Sequence, residues 1–394
     1  MAASSGEPQD TPRLDVIDGL RGIAILMVIF RHTFFDSMAS PGWHMFFFAD
    51  GIPVFPFTHF SNTWMGVNLF FLDSGFVLYL PFALGKRAMV GLRDLRPLYV
   101  RRAWRLFPLY YVMLAVYLSL DAAVLHHLRS PWLEIPAYAT FTFPFFSEIW
   151  QPRVNGALWS IGVEVCFSLA FPFLVMLVQR LGMARFVLCA CAVALGTRYL
   201  AYAHHLGVQN TRTLNTLADS LPGRLDNFAL GMAAATLFAR GWRAVRPAIG
   251  VAAEFVLFTG SCWLWDTSLA LGQPGLSAPL GGYALASAAF FLLLTAALGS
   301  RGLLRRVLRF APLRLAGIGC YSLYLVHVPL LWLFHGSPRG AMVPVYWGLT
   351  GMLSYATYQL IEKPGMLRGK RARAGQEHRT STPPPAAETS PRAP

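Results

Sequence analysis

An arginine and a histidine stand eleven residues apart in the stretch DGLRGIAILMVIFRHTFF, residues 18–35, and the residues between Gly22 and Phe30 are all apolar. On a helix, eleven residues rise about 16 Å and complete about three turns, so Arg21 and His32 share one face. Asp18, three residues before Arg21, can orient it. A cation at the entrance and a titratable imidazole further in suit an anionic molecule that enters past the arginine and reacts inside; the alternative is a buried structural histidine. Other residues that could do chemistry also sit in or beside apolar runs. Arg102 and Arg105 are three residues apart, and plain anchoring at a membrane surface is the alternative to anion binding. Glu164 lies about a turn into its run, where direct chemistry and structural pairing with an arginine are both open. Arg224 and Asp226 could pair with each other and be purely structural. His327, with Ser322 and Tyr324, could act directly or join helices through polar contacts. Arg31 and Asp73 put one more base and one more acid where a lone charge is costly, and they are expected to pair with each other.

These side chains must be positioned by membrane helices. The chain is 55% hydrophobic and only 13% charged, whereas soluble domains carry about 25% charged residues. Apolar runs long enough to span a bilayer recur at 16–36, 63–84, 106–126, 157–178, 186–203, 221–239, 248–265, 281–299, 315–334 and 342–361. The fold class expected is an all-α polytopic membrane protein of about ten transmembrane helices. The runs do not alternate in polarity as β-barrel strands would. Arginines and lysines crowd alternate loops: 85–105, the turn near 180, 239–248 and 300–314 are basic, while the loops between are nearly bare. The positive-inside rule then puts both termini in the cytoplasm, and a multi-pass location in the plasma membrane is expected. The net charge of +14 mostly reflects this asymmetry, and a nucleic-acid partner is not expected. The N-terminal segment lacks the features of a cleavable signal peptide. The five cysteines fall inside the runs with no C-x-x-C, so neither disulfides nor a metal site is expected.

The motifs, taken in order, resemble membrane acyltransferase family 3, bacterial enzymes that O-acylate glycans, lipids and some natural products. DGLRGIAILMVIFRH is similar to the family's first helix, with Arg21 and His32 at its Arg and His positions. GVNLFFLDSGF (66–76, holding Asp73 and Ser74) is similar to its second-helix signature, and RRAWRLFPLYY (101–111) to its Arg-x-x-Arg segment through Arg102 and Arg105. LWSIGVEVCF (158–167) is similar to its Trp-Ser…Glu segment through Trp159 and Glu164. GRLDNFALG, CYSLYLVHVPL and IEKP follow in order. Asp73, Arg31, Val165 and Ser168 depart from the family pattern, and these departures bear on acceptor choice.

The resemblance implies O-acyl transfer from cytoplasmic acyl-CoA, a donor substrate rather than a permanently bound cofactor, to a hydroxyl of a glycan, lipid-linked sugar or natural product such as a macrolide. His32 would be the general base, with an acyl-imidazole relay as the other mechanism. Arg21 and Glu164 would assist it, and Arg21, Arg102 and Arg105 would bind the donor phosphates. Domain boundaries are expected at 1–15 (cytoplasmic segment), 16–365 (transmembrane acyltransferase domain) and 366–394 (disordered cytoplasmic tail). Without the extracellular domain of larger family members, the chain is expected to work alone or with a separate partner. A multi-span transporter is the rival class; such proteins often show paired, broken repeats, which are not found here.

Overall fold

In the computed structural model every one of the apolar runs is helical, since a segment away from water can satisfy its amides only by closing its own hydrogen bonds. The structure describes residues 15–35, 48–49, 52–53, 57–89, 91, 94–207, 214–242, 246–270, 275–334, 338 and 340–369. α1 (Asp15–Phe30) runs on through a π-turn, Arg31–Phe35. A short α2 (Phe57–Ser61) leads into α3 (Gly66–Ala83). α4 (Leu95–Leu120), α5 (Pro131–Thr140), α6 (Leu158–Leu181) and α7 (Met183–Ala203) follow. Then come α8 (Leu225–Ala239), α9 (Pro247–Ala270), α10 (Tyr283–Leu298) and α11 (Gly302–Leu308). The chain closes with α12 (Ala311–Ile318), α13 (Cys320–Leu333) and α14 (Met342–Thr357), the last extended by a π-turn to Glu362.

Six described segments are long and apolar enough to cross a membrane: 63–83, 95–125, 158–181, 183–203, 247–269 and 277–298. A seventh is obtained if α12 and α13, bent by 80° at their junction, count as one broken span. The chain is therefore a multi-pass, all-helical membrane protein. The ten spans expected are not all among these: α1 with its π-turn carries Asp15, Asp18, Arg21 and Arg31, and α8 has only 15 residues. Helix continues to residue 369, past the boundary expected at 365; residues 1–14 and 370–394, with the expectations placed on them, lie outside the described residues.

Glycines set how deeply the helices interlock. A Cβ on Gly75 of α3 would sit 2.1 Å from the Phe228 carbonyl oxygen of α8, and one on Gly231 of α8 would sit 2.0 Å from that of Leu72. The two backbones touch, the close approach that small residues permit between membrane helices. Gly66 fixes the register of α3 on α1, since its Cβ would meet Ala24 O, Met27 and Val28. α3 and α13 are mostly buried at this centre, whereas α7 and α9 turn Leu188, Val193, Ile249 and Val256 outward, as lipid contact requires.

Candidate functional site

Four helices and α13 line a partly open cavity, with about 690 Å³ of free space including its mouth. α1 contributes Arg21, α3 contributes Phe70, Phe71 and Ser74, α4 contributes Arg102 and Arg105, α6 contributes Ser160 and Glu164, and α13 contributes Tyr321 and Tyr324. Residues 67, 70, 71 and 74 of α3 follow the i, i+3, i+4, i+7 spacing of a single helix face, which is why Ser74 enters the cavity and its neighbour Asp73 does not. Glu164 forms an ion pair with Arg102 and accepts a hydrogen bond from Ser74 Oγ at 3.0 Å. Arg102 Nε donates to Ser168 Oγ at 3.0 Å, and that hydroxyl donates to the Glu164 carbonyl at 2.7 Å. Among the described residues no carboxylate forms an ion pair with Arg21 or Arg105. The charges that bear most on Arg105 are those of Arg21, Arg102 and Glu362, and Glu362 itself accepts from Ser322 Oγ at 2.6 Å.

At the end of the cavity formed by Tyr324, two imidazoles meet. The Tyr324 hydroxyl donates to the Ala157 carbonyl at 2.8 Å and lies 2.5 Å from Ser160 Oγ. Its ring centroid lies 5.6 Å from that of His327, one turn further along α13. His327 Nε2 in turn lies 3.1 Å from His32 Nδ1. His32 is not among the residues lining the cavity; it reaches the cavity through His327 and Tyr324. It sits in the π-turn that follows α1, seventeen residues or about 25 Å from the start of that helix, and so nearer its far end than its middle.

One pairing expected from the sequence is overturned, and another that the sequence left open is not formed. Arg31 does not pair with Asp73: its Nη1 donates to the Ser61 carbonyl at 2.8 Å, and both Asp73 carboxylate oxygens are buried without a hydrogen-bond partner. With Gly66 level with residues 24–28 and the helices antiparallel, Arg31 stands beside Ser61, while Asp73 is level with Asp18 and Arg21, whose charges it feels. The charge of Arg31 also bears on Asp266 of α9, whose carboxylate accepts from Thr58 (2.6 Å) and Asn62 (2.8 Å). Nor do Arg224 and Asp226 pair with each other. Arg224 forms an ion pair with Asp219 and lies over the Tyr283 ring at 3.8 Å, whereas Asp226 binds Arg198 Nη2 at 2.7 Å. Residues two apart do not face each other on a helix. This network is buried, and Trp159 stacks on Trp150 at 5.2 Å. Asp219, Arg198 and Asp266 were not anticipated. Arg198, an isolated charge within the run 186–203, carried the signal that would have found it, as did Asp266 at the edge of the run 248–265.

The sequence model of the acyltransferase domain family, acyltransferase 3, matches residues 14–357, a stretch that contains every element of the cavity. The chain belongs to this acyltransferase family. It is similar to the O-acetyltransferase OatA of Staphylococcus aureus, at 23% identity over 93% of this chain and 59% of that protein. It is similar at 25% identity, over 92% of this chain and 86% of the relative, to BcsY of Komagataeibacter xylinus, named as a membrane-bound transacylase. The chain spans about three-fifths of the length of OatA. No solved structure matches it.

Proposed function

We propose that this acyltransferase takes a short acyl group, acetyl in the simplest case, from acyl-CoA and transfers it to a hydroxyl of a glycan or other envelope-associated acceptor. One observation carries the reading: three arginines from two helices converge on one cavity whose lining holds a single carboxylate, leaving a charge of +3 − 1 = +2 in the membrane domain. Such a concentration of cations is costly without an anion to bind, and guanidinium groups match phosphate oxygens in charge and geometry. The neighbouring basic loops support a position of this arginine end at the cytoplasmic face, where acyl-CoA is supplied.

The donor phosphates rest on Arg21, Arg102 and Arg105, and the pantetheine arm runs along Phe70, Phe71 and Tyr321 toward Tyr324. His32 accepts the proton of the acceptor hydroxyl as its oxygen attacks the thioester carbonyl. The tetrahedral intermediate collapses with cleavage of the C–S bond, and the departing thiolate takes the proton back from the imidazolium, giving the ester and free CoA. Glu164 holds Arg102 and Ser74 in place for the donor. The test uses purified protein in lipid nanodiscs with acetyl-CoA, followed by release of the CoA thiol and by transfer of radiolabelled acetyl groups to envelope extracts. His32→Ala should abolish both while the protein elutes normally. Retained turnover in that variant would defeat the assignment. A transporter would move label across liposomes without releasing thiol.

A further inference from the structure

The geometry points to His327 as the positioning residue that sets which nitrogen of His32 takes the proton; this rests on the proposed role of His32 as base. His327 is fully buried on α13, with its own carbonyl held by the Tyr346 hydroxyl at 3.2 Å. Its Nδ1 lies 3.2 Å from the Leu323 carbonyl oxygen. A carbonyl only accepts, so Nδ1 carries the hydrogen, and in the neutral ring Nε2 is a bare acceptor. That Nε2 lies 3.1 Å from His32 Nδ1, a contact that requires the hydrogen on His32 Nδ1. The lone pair of His32 Nε2 is thereby left for the acceptor hydroxyl. The hydrogens are assigned from this network, which runs from His32 through His327 to the Leu323 carbonyl, with the Val28 carbonyl one turn back as a second acceptor for the His32 N–H.

The rings are tilted by 39° with centroids 5.1 Å apart, the arrangement of an edge hydrogen bond rather than a stack. When His32 Nε2 gains the proton, its Nδ1–H bond to His327 becomes charge-assisted and strengthens as the transition state is reached. His327 therefore acts through His32 and needs no contact with either substrate. The contact comes from helices distant in sequence, α13 and the end of α1, so the base is assembled only when the bundle is packed.

The test uses the full chain in nanodiscs, with acetyl-CoA turnover read as thiol release across a pH series. His327→Gln keeps an acceptor at the reach of Nε2; His327→Asn is as polar but too short; His327→Phe keeps the bulk and removes the acceptor. The Phe and Asn variants should lose roughly 10–100-fold in kcat, part of the 10²–10⁴ that general-base catalysis supplies. KM for acetyl-CoA should stay within about twofold, the acid limb of the pH–rate profile should move, and Gln should recover most of the rate. Equal rates and an unmoved profile for Gln and Asn, alongside an inactive His32→Ala, would overturn the role of His327 alone. An active His32→Ala would overturn the underlying reading instead. If the Phe variant fails to fold, the Gln–Asn comparison decides.

Discussion

Neutralising Glu164 should tighten donor binding even though Glu164 lies in the site. Its carboxylate is the one negative charge in the lining and is already paired with Arg102. A phosphate bonded to Arg102 lies about 5.5 Å from the paired carboxylate, two charge-assisted contacts of about 2.7–2.9 Å end to end. At that distance, with an effective dielectric of 40–80, one repulsive unit charge costs about 0.8–1.5 kcal/mol, or roughly 4–13-fold in affinity. Glu164→Gln should lower the dissociation constant of acetyl-CoA by about that factor, and Arg102→Gln should raise it by a similar one. The double variant, in which a self-cancelling pair has been replaced by a neutral one, should bind nearly as wild type does. Equilibrium binding of radiolabelled acetyl-CoA by scintillation proximity, repeated at low and high salt, measures all three. The steeper salt dependence belongs to Glu164→Gln, which leaves three unopposed arginines. Unchanged affinity and salt dependence in both single variants would refute the placement of phosphate in this cavity.

The other expectations concern charge burial and packing. Arg105→Gln, which removes an unpaired cation and leaves no orphaned acid behind, should raise KM for acetyl-CoA by roughly 10-fold or more, a charge-assisted bond being worth about 1.5–3 kcal/mol, with kcat little changed in the same thiol-release assay. Asp73→Leu should raise the melting temperature in detergent, because both buried carboxylate oxygens lack hydrogen-bond partners; a fall would mean that Asp73 holds the bundle together. Arg198→Met should destabilise by about 3–5 kcal/mol by orphaning Asp226, and adding Asp226→Leu should recover much of it; fluorescence-detected size exclusion after heating reads the difference. Gly231→Val should abolish stable expression, since even a Cβ there would lie 2.0 Å from a backbone oxygen, whereas the same change at Gly348, with nothing within 4 Å, should be tolerated.

The helices, and the residues that meet in the cavity, were legible because each is a property of one segment. Apolar length marks the helix, and phase places Arg21, Arg102, Arg105 and Glu164 on inward faces. What could not be read was partner choice. Asp73 and Arg31 each looked like a charge in need of a neighbour, and their depths matched when each helix was measured from its own expected end. The true register comes from Gly66 seated against Ala24, and it shifts α3 along α1 until Asp73 is level with Arg21. A contact between backbones leaves no charge or periodicity to read. The pairs of Arg224 with Asp219 and of Asp226 with Arg198 were hidden in the same way, since Arg198 lies on α7 and reaches Asp226 only once α7 and α8 are packed.

The spacing of Arg21 and His32 has a consequence for what the site can bind. Because both lie on α1 or its continuation, their separation of about 16 Å is set by helix rise and is insensitive to how the other helices move. A donor held by its anionic end at Arg21 must bring its reacting carbon most of that distance to meet the base. Few metabolites have a polyanionic head joined to a reactive acyl carbon by a long, flexible, weakly polar arm; acyl-CoA does. The wall between the two ends supports the same reading, since Tyr324 stands beside His327 with its hydroxyl tied to Ala157 and Ser160. A short acyl group that has passed the aromatic side chains of α3 would come to rest against Tyr324, and a long one would have to displace it. Acyl length should therefore be set at Tyr324 rather than at the arginines. Enlarging this position to Tyr324→Ala should shift turnover from acetyl-CoA toward butyryl- and hexanoyl-CoA without changing how tightly CoA itself is bound. If CoA affinity fell with the acyl preference unchanged, the arm would have to run elsewhere.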